Sequence, residues 1–218
     1  MEDLILEKTE DGSDTLFIPE MDEHYHSTKG ALTETNYIFI EKGLLASNKK
    51  KIRLLEIGFG TGLNAIQTLL ATEEHPIEVI FHTLELYPLS WDKLTSLSYA
   101  SQPHYREIHQ APWEKLTPIT PRFAIHKHQL DFTTLPEKKF DTLFDVIYFD
   151  AFAPEKQPNM WTQQLFDHLF GLLSDGGILT TYCAKGVVRR MLQAAGFKVE
   201  RLPGPPNGKR EILRAIKQ

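Results

Sequence analysis

A single cysteine, Cys183, among 218 residues rules out an internal disulfide and suits a reducing compartment. It sits in a strand-like run, ILTTYCA, where a small buried apolar residue is expected rather than a catalytic thiol. No run of about eighteen apolar residues occurs, which excludes a membrane-spanning helix. The first residues, MEDLILEKTEDGSD, are acidic and lack the basic and apolar regions of a signal peptide, so a cytoplasmic location is expected. Internal repeats and low-complexity tracts are also missing, and the length suits one α/β domain burying roughly 70% of its unfolded surface. Nor is there a surplus of positive charge: the formal net charge is −5, which argues against strong non-specific binding to nucleic acid. That charge is uneven. Nine basic residues from Lys185 onward face only Glu200 and Glu211, so the C-terminal part carries +7 and the rest −12. A basic end of this kind fits a polyanion contact or a solvated face equally well.

What is present is organised around Lys51–Asn64, KIRLLEIGFGTGLN. Ile52, Leu54, Leu55 and Ile57 form a short apolar run that predicts a strand buried on both faces. A glycine turn follows, and an apolar-periodic segment opens at Leu63, which predicts a helix. Strand, glycine turn and helix make the first unit of an open α/β sheet. The loop reads Gly58, Phe59, Gly60, Thr61, Gly62, with Asn64 just inside the helix. Residues without a Cβ let a ligand lie against bare backbone, and free N–H groups at the helix start face it. The spacing is G-x-G-x-G rather than the dinucleotide G-x-G-x-x-G. Glu56 in front argues against a phosphate and for a cationic or amino-bearing ligand. The pattern looks like the S-adenosylmethionine loop of class I methyltransferases.

The carboxyl ends of later strands supply further acidic groups. Glu85 closes a second strand, about two dozen residues past the glycine turn, where a carboxylate can take both ribose hydroxyls of an adenosine. Asp131 follows a third strand, RFAIHKHQLDF, and is placed to meet an adenine amino group. Asp150 ends a fourth, FDVIYFD; strands one and four flank the switch point of such a sheet, so Glu56 and Asp150 are expected as neighbours over one crevice. The loop after Asp150 carries Phe152, Lys156, Met160 and Trp161, apolar enough to read as a substrate wall or lid. The last two strands, FKVERL and REILRAIK, are joined by PGPPNGK and predict an antiparallel pair. A seven-stranded, Rossmann-like class I S-adenosylmethionine-dependent methyltransferase is the expected fold. Residues 1–45 form an N-terminal extension of hairpin and helix within the same unit, and 46–218 the methyltransferase domain. Further helices are expected at Pro88–Tyr99 and from Thr162 to a glycine stop at Ser174–Gly177, and Ser101–Pro121 is expected to be irregular around one short helix. His24 and His26 form an H-x-H pair without a third ligand of suitable spacing and, with Tyr25, read as an ordered polar loop near the ligand; His126 and His128 share a strand face and read as structural, and no metal is expected.

Several strings together resemble one family: LEIGFGTGLN, DAFAPEKQPNMWT, TYCAKGVVRRMLQAAGF, GKREIL and HYHSTKGALTETNYIFIEKGL are similar to the methyltransferase module of the MnmC family, which completes 5-methylaminomethyl-2-thiouridine at the tRNA wobble position. The similarity runs from about Asp22 to the C-terminus. Ala151 stands where the family often has glycine, and Ala184-Lys185-Gly186 where it often has Ser-Ala-Gly. The resemblance implies a stand-alone methyltransferase using S-adenosyl-L-methionine on the 5-aminomethyl group of a (2-thio)uridine, without the flavin-dependent module and with a separate flavin oxidoreductase as the partner to look for. The expected donor site is Glu56, Gly58, Phe59, Gly60, Thr61, Gly62, Asn64, Glu85, Asp131 and Asp150, with Asp150 as the catalytic carboxylate that relays the amine's proton. Tyr25, Phe152, Met160 and Trp161 would meet a flipped base. Lys156, Lys185, Arg189, Arg190, Lys209 and Arg210 would meet anticodon-arm phosphates. Two alternatives use the same features: transfer of a methyl or aminopropyl group to a small amine, as in spermidine synthases, and a non-catalytic adenosine-binding domain partnering an oxidoreductase.

Overall fold

The computed structural model describes residues 4–138 and 140–218; the first three residues of the expected N-terminal extension lie outside that range. A small antiparallel sheet comes first: β1 (Ile5–Lys8), β2 (Asp14–Ile18) and β3 (Glu23–His24). The turn between β1 and β2 is tied by Asp11, whose Oδ1 accepts from Thr9 Oγ1 at 2.7 Å and from the Ser13 N–H at 3.0 Å. A short helix α1 (Ala31–Glu34) runs into a π-helical stretch, Thr35–Leu44. Wider winding is rare and tends to mark functional sites. Here it lets Gly43 pass close to the central sheet, where a Cβ would sit 3.0 Å from Thr180 Oγ1.

The main sheet takes β4 (Lys51–Ile57), β5 (Glu78–Glu85), β6 (Leu116–Thr120), β7 (Phe123–Gln129), β8 (Phe144–Phe149), β9 (Leu173–Thr181), β10 (Lys198–Pro203) and β11 (Glu211–Ile216). Its order is β10-β11-β9-β8-β4-β5-β7-β6. β4 lies between β8 and β5, parallel to both, which makes its end the switch point. β11 inserts antiparallel between β9 and β10, as the Gly/Pro-rich return implied. The helices are α2 (Leu63–Glu74), α3 (Trp91–Leu94), α4 (Tyr105–Gln110), α5 (Gln163–Leu172) and α6 (Gly186–Ala194). Two apolar cores sandwich the sheet. One joins β4 and β5 to α2, α4 and the Thr35–Leu44 helix and takes in Leu16 of the small sheet; the other joins β4 and β8 to α5 and α6.

Three local expectations change. The sheet has eight strands, because Leu116–Thr120, inside the stretch expected to be irregular, pairs antiparallel with β7. Pro118 is tolerated there since β6 is an edge strand. The helix expected over Pro88–Tyr99 is reduced to α3 and a 3-10 turn, Ser98–Ser101. Leu97 turns extended between them, and Leu94, Leu97 and Tyr99 are all drawn into the core. Finally, α5 does not stop on the glycine pair: β9 begins at Leu173 and contains Gly176 and Gly177, with an irregular register against β8, as glycines inside a strand often signal.

Candidate active site

The glycine loop after β4 is held from behind by the core. Thr61 is its hub. Its Oγ1 meets His26 Nε2 at 2.7 Å and accepts from Tyr99 OH at 3.0 Å; its carbonyl accepts from Tyr105 OH at 2.6 Å and meets His109 Nε2 at 3.0 Å. Burial lowers the His26 pKa to about 4 and that of His109 to about 3, so both act as neutral props. Gly58 and Gly62 have φ of 93° and 72°, and an added Cβ would meet the Asp150 carbonyl oxygen at 2.7 Å and His109 Nε2 at 2.6 Å. Only glycine fits both the backbone and the space.

In front of the loop opens a cleft of about 960 Å³. Among the expected donor residues, Gly58, Phe59, Gly60, Glu85, Asp131 and Asp150 line it. Glu85 is pinned at the β5 tip, accepting from the N–H groups of Gly60 at 3.0 Å and Tyr87 at 2.9 Å. Asp131 caps the turn Phe132–Glu137 through Oδ1, which accepts from the Thr133 N–H at 2.8 Å. Asp150 ends β8, its N–H bonded to the Ile57 carbonyl at 3.0 Å. Its Oδ2 accepts from Asn64 Nδ2 at 2.7 Å. Burial, reinforced by the negative charge of Glu34, lifts the Asp150 pKa to about 7 against the restraint of Asn64 and Lys209.

Glu56, Thr61, Gly62 and Asn64 lie behind this surface rather than on it. Glu56 is fully buried, and its Oε2 accepts from Thr83 Oγ1 at 2.7 Å while Oε1 has no partner. Burial raises its pKa far above the carboxylate range, with Asp150 adding to the rise. The crevice therefore reaches Asp150 but stops short of Glu56, whose side chain points down between strands. The Asn64 amide lowers the pKa of both carboxyls.

The opposite wall brings together Tyr25, Phe152 and Met160. Tyr25 and Phe152 meet edge-on with centroids 5.2 Å apart. Trp161 is instead an anchor: only 6% exposed, it packs on Phe149 and donates its Nε1–H to the Phe152 carbonyl at 2.8 Å. The loop after β8 is thus part wall, part core. Of the expected phosphate contacts only Lys209 reaches the cleft; Lys156 pairs with Asp22, Lys185 with Glu155, and Arg189, Arg190 and Arg210 lie outside the lining. Sequence reading missed Glu34 and Tyr182. Lys209 Nζ donates to Glu34 Oε1 at 2.7 Å and lies 4.2 Å over the Tyr182 ring, and all three line the cleft beside Asp150. Glu34 sits inside the HYHSTKGALTE segment quoted for the resemblance, but nothing in that string signals its pairing with a lysine from the far end of the chain.

Comparison with known proteins matches this arrangement. A family model described as S-adenosyl-L-methionine-dependent methyltransferase matches residues 125–218. The solved structure of MnmC2 from Aquifex aeolicus superposes with a TM-score of 0.82 at 27% identity, covering 99% of this chain and 70% of that one. The chain is an MnmC-like methyltransferase module. Curated relatives agree: the tRNA 5-methylaminomethyl-2-thiouridine biosynthesis bifunctional protein MnmC of Pseudomonas fluorescens (strain Pf0-1) is 35% identical over 88% of this chain and 32% of its own. Its counterpart in Aeromonas salmonicida is 34% identical over 83% and 30%. The MnmC-like module thus spans about a third of the length of these relatives. Spermidine synthase from Thermotoga maritima shares the fold at a TM-score of 0.60 and 15% identity. The cofactor named by the family model, S-adenosyl-L-methionine, fits the residues present: a glycine cradle that a Cβ would fill, and carboxylates at three strand ends over one cleft. Among the described residues no helix is long and apolar enough to cross a membrane.

Proposed function

We propose that this chain methylates the 5-aminomethyl nitrogen of (2-thio)uridine at the tRNA wobble position, with S-adenosyl-L-methionine as donor. The observation that carries the reading is the Asp150 carboxyl, held on the cleft floor by Asn64 at 2.7 Å beside the glycine loop; burial raises its pKa to about 7. An alkylamine is mostly protonated at neutral pH and cannot attack in that form. A carboxylate whose pKa is raised toward that pH accepts the proton and aligns the nitrogen lone pair. The donor supplies a sulfonium-activated methyl group, so the protein's task is positioning and exclusion of water.

In this reading Gly58 and Gly60 receive the donor on bare backbone, Glu85 takes the ribose hydroxyls and Asp131 the adenine amino group. Tyr25 and Phe152 flank the base, which must leave the anticodon stack to reach Asp150. Lys209, neutralised by Glu34, sets the far side of the acceptor pocket. Lys185, Arg189, Arg190 and Arg210 contact the anticodon arm, the work takes place in the cytoplasm, and a separate flavin oxidoreductase exposes the amine. The names of the curated relatives and the superposition on MnmC2 support tRNA as acceptor.

The test is transfer of a labelled methyl group to tRNA carrying 5-aminomethyl-2-thiouridine, compared with putrescine and spermidine under identical conditions. Label recovered in 5-methylaminomethyl-2-thiouridine supports the proposal. Label found only in the small amines replaces it with a small-amine N-methyltransferase, and donor binding without transfer makes the chain a non-catalytic adenosine-binding module.

A further inference from the structure

A second constellation lies outside the cleft, on the sheet face that carries Leu55, Leu84 and Phe144. Parallel pairing of β5 with β7 sets His82 directly beside His126, and two residues on sets Leu84 beside His128. Side chains two apart share a strand face, so three imidazoles converge. Each offers a ligand nitrogen, and these nitrogens all lie within 4.8 Å of one another. His82 Nδ1 and His128 Nε2 are 3.1 Å apart. The rings of His82 and His128 are stacked at 14°, with centroids 5.4 Å apart, and His126 packs against His128 at 4.0 Å. His128 is 3% exposed; His82 and His126 are partly buried. Phe140 and Phe144 close the cluster with edge-on contacts to His82.

What separates this from an ordinary packed histidine group is the support behind His128. Glu114 Oε2 lies 3.2 Å from His128 Nδ1, while its Oε1 accepts from the Gln129 N–H at 2.7 Å. Glu114 holds this place from a left-handed backbone with φ of 57°, its own N–H bonded to the Lys127 carbonyl at 2.8 Å. A carboxylate beside Nδ1 favours the tautomer that presents a bare Nε2, the arrangement that orients metal-ligating histidines.

We propose that His82, His126 and His128 bind one divalent transition-metal ion, with Zn²⁺ as the reference ligand, clamping β5 to β7 near the sheet edge. Three imidazoles and a water satisfy the tetrahedral preference of zinc, and the same donors accept Co²⁺ or Ni²⁺. One charged neighbour competes with Glu114 for the same nitrogen: Lys138 Nζ lies 3.0 Å from His128 Nδ1 and 3.6 Å from Glu114. On loading, the proton belongs on Nδ1 and goes to Glu114, leaving Lys138 paired with Glu114 alone. His82 stands three residues before Glu85, and His128 three before Asp131. The ion thus stiffens the two strand tips that edge the cleft, without entering it.

The full chain, stripped with chelator, is titrated with Zn²⁺ by calorimetry and with Co²⁺ by visible absorption, and melted with and without Zn²⁺. One equivalent bound, intense d–d bands of a low-coordinate Co²⁺ site and a higher Tm with Zn²⁺ are expected. Glu114→Gln should weaken binding about 10- to 100-fold, and His126→Asn more. Absence of Zn²⁺ binding by the wild-type chain overturns the proposal. So does binding of undiminished affinity in the His82→Asn/His126→Asn double variant. Should that variant fold poorly, the Co²⁺ spectrum of the wild-type chain decides, since a spectrum of purely octahedral aquo-type Co²⁺ rejects a three-histidine site.

Discussion

Replacing Asn64 by alanine removes one hydrogen bond, and its consequence can be worked out from the geometry. Asn64 Nδ2 donates to Asp150 Oδ2 at 2.7 Å, from a buried side chain to one on the cleft floor. A hydrogen bond to a charged group contributes about 1.5–3 kcal/mol, and about 1.4 kcal/mol corresponds to one pKa unit. The carboxyl now titrating at about 7 should then titrate roughly one to two units higher. The sign is fixed by the role: transfer needs Asp150 ionised, so activity rises with pH through its pKa, and the variant's rise comes later. At neutral pH the ionised fraction falls from about one half to between about a tenth and a hundredth, a loss of roughly 5- to 50-fold in kcat. Raising the pH two to three units should restore most of it. The assay is the kcat–pH profile with saturating donor and tRNA. A loss equal at every pH would refute the reasoning, since it would make Asn64 a packing residue with no hold on the carboxylate. An unmoved acidic limb would assign that limb to another group.

Asp150→Asn keeps the shape of the cleft but cannot accept a proton; calorimetry should show donor affinity within a few-fold of wild type while turnover falls about 10²- to 10⁴-fold. Gly58→Ala forces a Cβ to 2.7 Å from the Asp150 carbonyl oxygen at a φ of 93°; the strain, about 1–3 kcal/mol, should lower Tm by roughly 2–12 °C and weaken donor binding, and a variant with unchanged melting and affinity would show that the turn is not the donor's cradle. Arg189→Glu with Arg190→Glu should raise KM for tRNA and flatten its salt dependence without altering donor affinity; identical tRNA kinetics would remove α6 from the interface.

The parts of this molecule legible in sequence are those set by local pattern. The apolar run Ile52–Ile57, the glycine turn and the periodic helix after it fix β4, the loop and α2, and FDVIYFD places Asp150 beside that loop through strand order alone. The N-terminal segment with Tyr25 and His26 reads as an ordered polar loop near the ligand, and both residues do line the cleft. What sequence does not reveal are contacts between distant strands. Strand-end logic puts Glu56 in the crevice, yet its side chain drops into the sheet toward Thr83, because alternation along the strand decides face and depth together. Lys209 meets Glu34 across 175 residues, and no spacing rule announces that pair. His126 and His128 are visibly on one face, but the third imidazole, His82, arrives only when β5 and β7 pair in register. Short elements fared worst: β6 is an edge strand containing Pro118, where intrinsic preference argues against a strand and tertiary pairing prevails.

The central claim is that methyl transfer occurs where β4 and β8 end, over the glycine loop, and the most direct measurement is a crystal structure with S-adenosyl-L-homocysteine bound. The account predicts its ribose hydroxyls on the Glu85 carboxylate, its adenine amino group beside Asp131, and its sulfur facing the open side of Asp150 against Gly58 and Gly60. Electron density for the ligand anywhere else, or a sulfur separated from Asp150 by protein, would contradict it.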